Sequence, residues 1–148
     1  GVTIEWIFCC LALLPADNHI APYKHLGVLS QAELASAYRM HDVLLSASWY
    51  ESFPLFPIEA MASGLAVITT PYGTEDYATD GMNCLMVEPR NIDSITKAII
   101  RLALDRGFLN RIASSAQQIV ERHNWQIAGS KMEEVLQCIV TTTAPSTP

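Results

Sequence analysis

No stretch of this 148-residue chain is long and apolar enough to cross a bilayer as a helix. The longest apolar run, Trp6 to Leu14, falls well short of the ~20 residues a spanning helix needs. Its length would suit a signal-peptide core, but Glu5 precedes it and no basic segment does, so a buried strand is the better reading. Positive charge is scarce too. Nine Lys and Arg stand against 15 Asp and Glu, a net charge of −6, which argues against a nucleic-acid surface and predicts no nucleic-acid partner. There are only four cysteines (Cys9, Cys10, Cys84, Cys138), with one adjacent pair and no C-x-x-C. Reduced thiols in a cytoplasmic protein are therefore expected. The histidines His19, His25, His41 and His123 form no i, i+4 pair, and no D-x-D occurs, so no metal site is predicted. No G-x-S-x-G is present, so hydrolase chemistry has no support.

What the chain does have is apolar content: half the residues are hydrophobic and 16% are charged. That suffices for one domain with a real core, read here as residues 1–140. Residues 2 to 14 read as a strand covered on both faces. Pro15 to Pro22 reads as a polar loop, and Tyr23 to Leu26 as a short strand ending at Gly27. Ser30-Gln31-Ala32-Glu33 is a capping-box pattern opening a helix. Val43 to Ala47, Leu65 to Thr70 and Asn83 to Val87 read as further strands. Asn91 or Asp93 caps a helix, a second follows around Leu109 to Val120, and a last runs from Trp125 to Ile139. Thr141 to Pro148 has no hydrophobic pattern and reads as a disordered Thr/Pro tail. Strands alternating with helices predict an α/β fold with a parallel sheet, helices on both faces and a ligand at the strands' carboxyl ends.

The most informative stretch runs from Trp49 to Gly64, between two predicted strands. Its loop carries Glu51 and its helix carries Glu59, eight positions later. Pro57 suits a first helical turn, where a missing N–H costs nothing. Gly64 is placed to end the helix in a left-handed conformation. The free N–H groups at the start of such a helix make an anion site, and phosphate is the natural ligand.

The pair Glu51 and Glu59, with Phe53 after the first and Ala60-Met61-Ala62-Ser63-Gly64 after the second, resembles the signature of retaining GT-B glycosyltransferases, the family-4 or group 1 enzymes. Leu26-Gly27-Val28-Leu29-Ser30 is similar to the family's turn before the signature. Thr70 to Tyr77 and Asp80 to Val87 are similar to the segments after it, so the resemblance covers about residues 22 to 137.

The resemblance implies the C-terminal half of a GT-B fold, Rossmann-like, in a fragment of a longer chain. It implies a hexosyltransferase whose donor is a nucleotide-diphosphate sugar, bound as substrate with no cofactor. Glu51 would then be the catalytic carboxylate that places the donor sugar, and Glu59 would accept hydrogen bonds from the ribose. Phe53, Leu55 and Phe56 would line the donor site, and helix N–H groups at residues 55 to 58 would meet the diphosphate. Pro54 stands where many members have glycine, which removes one donor. Leu29 and Ser30 would hold the base. Lys24, or more remotely Arg39, would lend a cation. Glu75 and Asp76 look like paired carboxylates, but adjacency favours a turn and helix start after Gly73. The acceptor, whether glycan, lipid or small molecule, would come through an N-terminal domain absent here, as would any peripheral membrane contact. The isolated domain would be inactive. A GT-B-type nucleotide-sugar epimerase or hydrolase, and an inactive nucleotide-binding or interaction module, are the alternatives.

Overall fold

The computed structural model describes residues 3–9 and 23–143. Two parallel strands come first, β1 (Trp6–Phe8) and β2 (Tyr23–His25), paired from Trp6↔Tyr23 to Phe8↔His25. Helix α1 (Gln31–Arg39) follows, then β3 (Val43–Ser46), α2 (Leu55–Ala62), β4 (Ala66–Thr69) and β5 (Leu85–Met86). Three helices follow among the described residues: α3 (Ile92–Leu104), α4 (Arg106–Val120) and α5 (Trp125–Thr143).

β3, β4 and β5 form one parallel sheet in that order, with Val43 opposite Ala66 and Ile68 opposite Leu85. All four residues of the central strand β4 are buried, so it is covered on both faces. Val67 points to one side, where Ala60 and Met61 of α2, Tyr38 of α1, Tyr77 and Ala116 pack. Ala66 and Ile68 point to the other, against Leu85, Val87, Leu102, Phe108 and Ile112. Helix α4 serves both clusters, its first turns meeting one and Ala116 and Val120 the other. A period-2 strand between amphipathic helices yields two dry layers in this way.

Local chemistry places the helix ends. Ser30 and Glu33 form the full capping box, with the Glu33 carboxylate accepting from the Ser30 N–H at 2.8 Å. Asn91, rather than Asp93, caps α3 through the Ser94 N–H at 3.0 Å. Asp105 caps α4 through the Phe108 N–H at 2.8 Å. Gly64 ends α2 at φ 89°, in the left-handed region where glycine alone is unstrained.

Several expectations need correction. The strand expected over residues 2 to 14 is limited among the described residues to Trp6–Phe8, half-buried and paired with β2. Residues 10–14 and the loop expected from Pro15 to Pro22 lie outside the described residues. Among those residues the sheet is in two pieces, since no ladder joins β1–β2 to β3–β4–β5. No helix starts after Gly73. The Thr74 carbonyl accepts the N–H groups of Tyr77 (3.1 Å) and Ala78 (2.8 Å), one turn only. Asn83 then takes the Thr79 N–H at 2.6 Å and diverts the backbone. At the other end, α5 runs on through Thr143, three residues into the segment read as tail; residues 144–148 lie outside the described residues.

Candidate functional site

The carboxyl ends of β3 and β4 carry the two loops that build the site, residues 47–54 and 70–84. The first loop leads into α2, whose cap residue Pro54 offers no side-chain hydrogen bond to the helix start. An α-helix leaves its first N–H groups without carbonyl partners. Here Pro57 has none to offer, and Ile58 is the first residue whose fourth-preceding carbonyl, that of Pro54, belongs to the helix cap. The donors expected at 55 to 58 therefore reduce to two, the amides of Leu55 and Phe56. Both residues are exposed, Leu55 at 49% and Phe56 at 61%.

Glu51 lies exposed in the same loop, and Glu59 is exposed one turn into α2. The hydroxyl of the buried Tyr38 is pushed up to about 12, first by burial and next by the Glu59 carboxylate. Glu59 thus lies near Tyr38 in the last turn of α1, whereas the other predicted contacts, Leu29 and Ser30, lie at the opposite end of that helix. Leu29 is half-buried. Every polar group of Ser30 works in the cap: its N–H and hydroxyl donate to Glu33, and its carbonyl accepts the Leu34 N–H at 2.9 Å. Lys24, expected to lend a cation, is instead ion-paired with Glu5 at the β1–β2 ladder. Arg39 sits in the last turn of α1, where it complements the helix C-terminus. A cavity of about 400 Å³ opens between α2 and the start of α5. Phe53, Leu55, Ile58 and Glu59 line one wall, and Trp125 and Lys131 the other. Glu51, Phe56, Leu29 and Ser30 lie outside that lining.

The second loop shapes the first. Thr70 donates its hydroxyl to the Ser48 carbonyl at 2.8 Å. Gly73, at φ 78°, lies directly beneath the Glu51 and Ser52 backbone. Tyr77 donates its hydroxyl to the Pro54 carbonyl at 3.0 Å, and its ring meets Phe53 edge-on at 5.5 Å. Three contacts from residues 70–77 thus hold the loop at both ends and in the middle. Farther out, the Arg90 guanidinium lies 3.6 Å over the Trp49 ring, and Tyr50 meets Tyr72 at 6.4 Å. Sequence reasoning missed Thr70, Gly73 and Tyr77 as parts of the site. Only Gly73, following Pro71-Tyr72 after a strand, carried a local signal, that of a turn.

Among the described residues no three His, Cys, Asp or Glu side chains gather as a metal site would require, and no helix is long and apolar enough to cross a membrane.

This geometry has counterparts in known proteins. Residues 15–105 match the family described as glycosyl transferases group 1. The chain is 36% identical over 107 residues to a D-inositol 3-phosphate glycosyltransferase from Streptomyces bingchenggensis, covering 72% of this chain and 24% of that protein. It therefore spans about a quarter of that relative's length. Among solved structures it is similar to the C-terminal domain of the glycosyl transferase group 1 family protein LpcC from Francisella tularensis. That likeness has 32% identity and a TM-score of 0.63, over 67% of this chain and 52% of that one. Anabaena HepE, solved in complex with UDP and glucose, superposes with a TM-score of 0.70 at 22% identity, over 78% of this chain and 32% of that one. The fold is that of GT-B glycosyltransferases. Since the family match runs unbroken from β2 through α3, across every element that frames the Glu51 loop, this chain belongs to the glycosyl transferases group 1 family.

Proposed function

We propose that this chain is the donor-binding domain of a retaining hexosyltransferase, which moves a hexose from a nucleotide-diphosphate sugar to an acceptor hydroxyl. The observation that carries the reading is the start of α2. Two open amides, of Leu55 and Phe56, stand at the carboxyl edge of the sheet with Glu51 exposed just before them and Glu59 one turn behind. The UDP and glucose bound by HepE are the kind of ligands this arrangement suits.

As the glycosidic bond breaks, negative charge grows on the departing diphosphate. Fixed N–H dipoles at a helix start stabilise that charge without reorganising at the moment of reaction. The two oxygens of Glu59 suit the vicinal hydroxyls of a ribose, and Leu29 offers an apolar contact for the base. Glu51 orients the donor sugar at the reacting carbon. The acceptor and the group assisting its deprotonation belong to a further domain, so this chain alone binds donor and transfers nothing. Donor binding proceeds without a divalent cation, in a cytoplasmic enzyme.

A thermal-shift screen against nucleoside diphosphates and their sugar conjugates, with and without chelator, tests the proposal. Stabilisation by at least one diphosphate, unchanged by chelator, is expected. No stabilisation at millimolar ligand overturns the site, and a chelator-dependent response overturns the cation-free mode.

A further inference from the structure

We propose that Tyr77 is a positioning residue for the donor loop: through the Pro54 carbonyl it sets the aim of the Leu55 and Phe56 amides without touching any ligand. The inference rests on the reading of those amides as the diphosphate contacts.

The first observation is a continuous chain of hydrogen bonds. The buried Asn83 side chain donates to the Tyr77 carbonyl at 2.6 Å and accepts the Thr79 N–H at 2.6 Å. That fork fixes the backbone on both sides of Ala78, and with it the direction in which the Tyr77 side chain leaves. The phenol then spans to the other loop and donates to Pro54 at 3.0 Å. Pro54 is the cap residue of α2, so its carbonyl is also the first acceptor of the helix. One oxygen has two lone pairs and can serve both. A proline cap has no side-chain oxygen to hold the helix start, and the Tyr77 hydroxyl is the side-chain bond found there.

The second observation is how firmly the phenol is kept. Tyr77 is 2% exposed and sits between Phe53, at 5.5 Å, and His123, at 6.4 Å, both edge-on. Burial pushes its hydroxyl above the usual phenol range, which favours the protonated, donating form. The ring's packing and the hydroxyl's bond are separable. A phenylalanine keeps the first and loses only the second.

The third observation is that Tyr77 acts together with its neighbours. Thr70 holds Ser48 and Gly73 lies beneath Glu51, so the same segment grips the loop at three successive points. Removing the last grip frees the end that bears the two amides, while the Glu51 end stays held.

The test follows the backbone amide resonances of Leu55 and Phe56 in the full 148-residue chain while inorganic pyrophosphate is added. The probe needs no base or sugar, so it reports the anion contact alone. In Tyr77→Phe the titration midpoint should rise about fivefold, what one neutral hydrogen bond is typically worth. Ile112→Val, in the opposite cluster, is the control for a general loss of stability and should leave the midpoint where it was. An unchanged midpoint in Tyr77→Phe overturns the proposal while leaving the diphosphate site standing. An equal rise in both variants also overturns it, because the effect is then one of stability. If neither amide responds to pyrophosphate in the unsubstituted chain, the site reading fails and the proposal fails with it.

Discussion

Gly73 and Glu51 are in backbone contact. A Cβ built on Gly73 would collide with the Glu51 carbonyl oxygen and come within 2.9 Å of the carbonyl carbons of Glu51 and Ser52. The φ of 78° at Gly73 independently disfavours any other residue. Both constraints act on the loop that carries the proposed catalytic carboxylate. The turn after β4 is thus the surface on which the Glu51 loop is laid.

Gly73→Ala should therefore harm both stability and site. Two rigid backbone segments must separate, and a non-glycine residue must hold a left-handed φ, a strain of roughly 1–3 kcal/mol. Thermal denaturation should show a lowered midpoint, and nucleotide binding should weaken in parallel. A variant with wild-type melting and wild-type binding would contradict the close approach.

The two carboxylates should separate by ligand. Glu59→Ala should weaken every nucleotide ligand by about 1–3 kcal/mol, the typical value for hydrogen bonds to a charged group. Glu51→Ala should leave the bare diphosphate almost untouched and, in the full-length enzyme, cut transfer sharply. Calorimetric titration with a diphosphate and with its sugar conjugate makes the comparison. Equal loss of the bare diphosphate in both variants would refute the division of roles.

Ile112 is fully buried between β4 and α3, so Ile112→Ala removes a core side chain and leaves a void. Unfolding should become easier by about 2–5 kcal/mol. Phe56→Ala, at a residue 61% exposed, should stay within about 0.5 kcal/mol of wild type. Urea denaturation of the two variants checks the contrast, and similar losses in both would mean the core is placed wrongly.

Stability should fall on the alkaline side. Burial, and next Asp80, push the Cys84 thiol from its ordinary 9.0 up to about 12. Burial, and next Glu59, push Tyr38 from 10.0 up to about 12. The fold holds both groups protonated, whereas the unfolded chain releases their protons earlier. Their contribution is therefore complete below pH 9 and is lost between pH 9 and 12, at roughly 1.4 kcal/mol per pH unit for each group ionised only when unfolded. Urea midpoints measured from pH 7 to 11 test this. A flat profile for the wild type, or one unchanged by Cys84→Ala, would show that these groups are not buried as described.

Much of this protein was legible along the chain because the rules involved act within one turn. The Ser30 and Glu33 capping box and the left-handed Gly64 depend on residues at most three positions away, so spacing alone reveals them, whereas spacing offered both Asn91 and Asp93 as the cap of α3 and the structure selected Asn91. The pairing of Glu51 with Glu59 across a loop and a helix start is a local pattern of the same kind. Ser30 carries two readings at once, first residue of a capping box by spacing and contact for the base by resemblance. The structure spends its polar groups on the helix.

The sequence by itself determined the order of the observed strands and helices and several of the helix caps, though not every element's ends. Hydrogen-bond geometry and side-chain periodicity are written into neighbouring residues. Only the tertiary structure decided that Tyr77 reaches Pro54, 23 positions away, that Gly73 lies beneath Glu51, and that Lys24 is taken up by Glu5. It also decided that, among the described residues, the strands form two separate sheets, and that α5 keeps its apolar side chains Trp125 and Met132 exposed. Contacts of this kind have no sequence period. They arise when separate segments are brought together at the edge of a buried sheet, where steric fit and the need to satisfy each carbonyl select the partner.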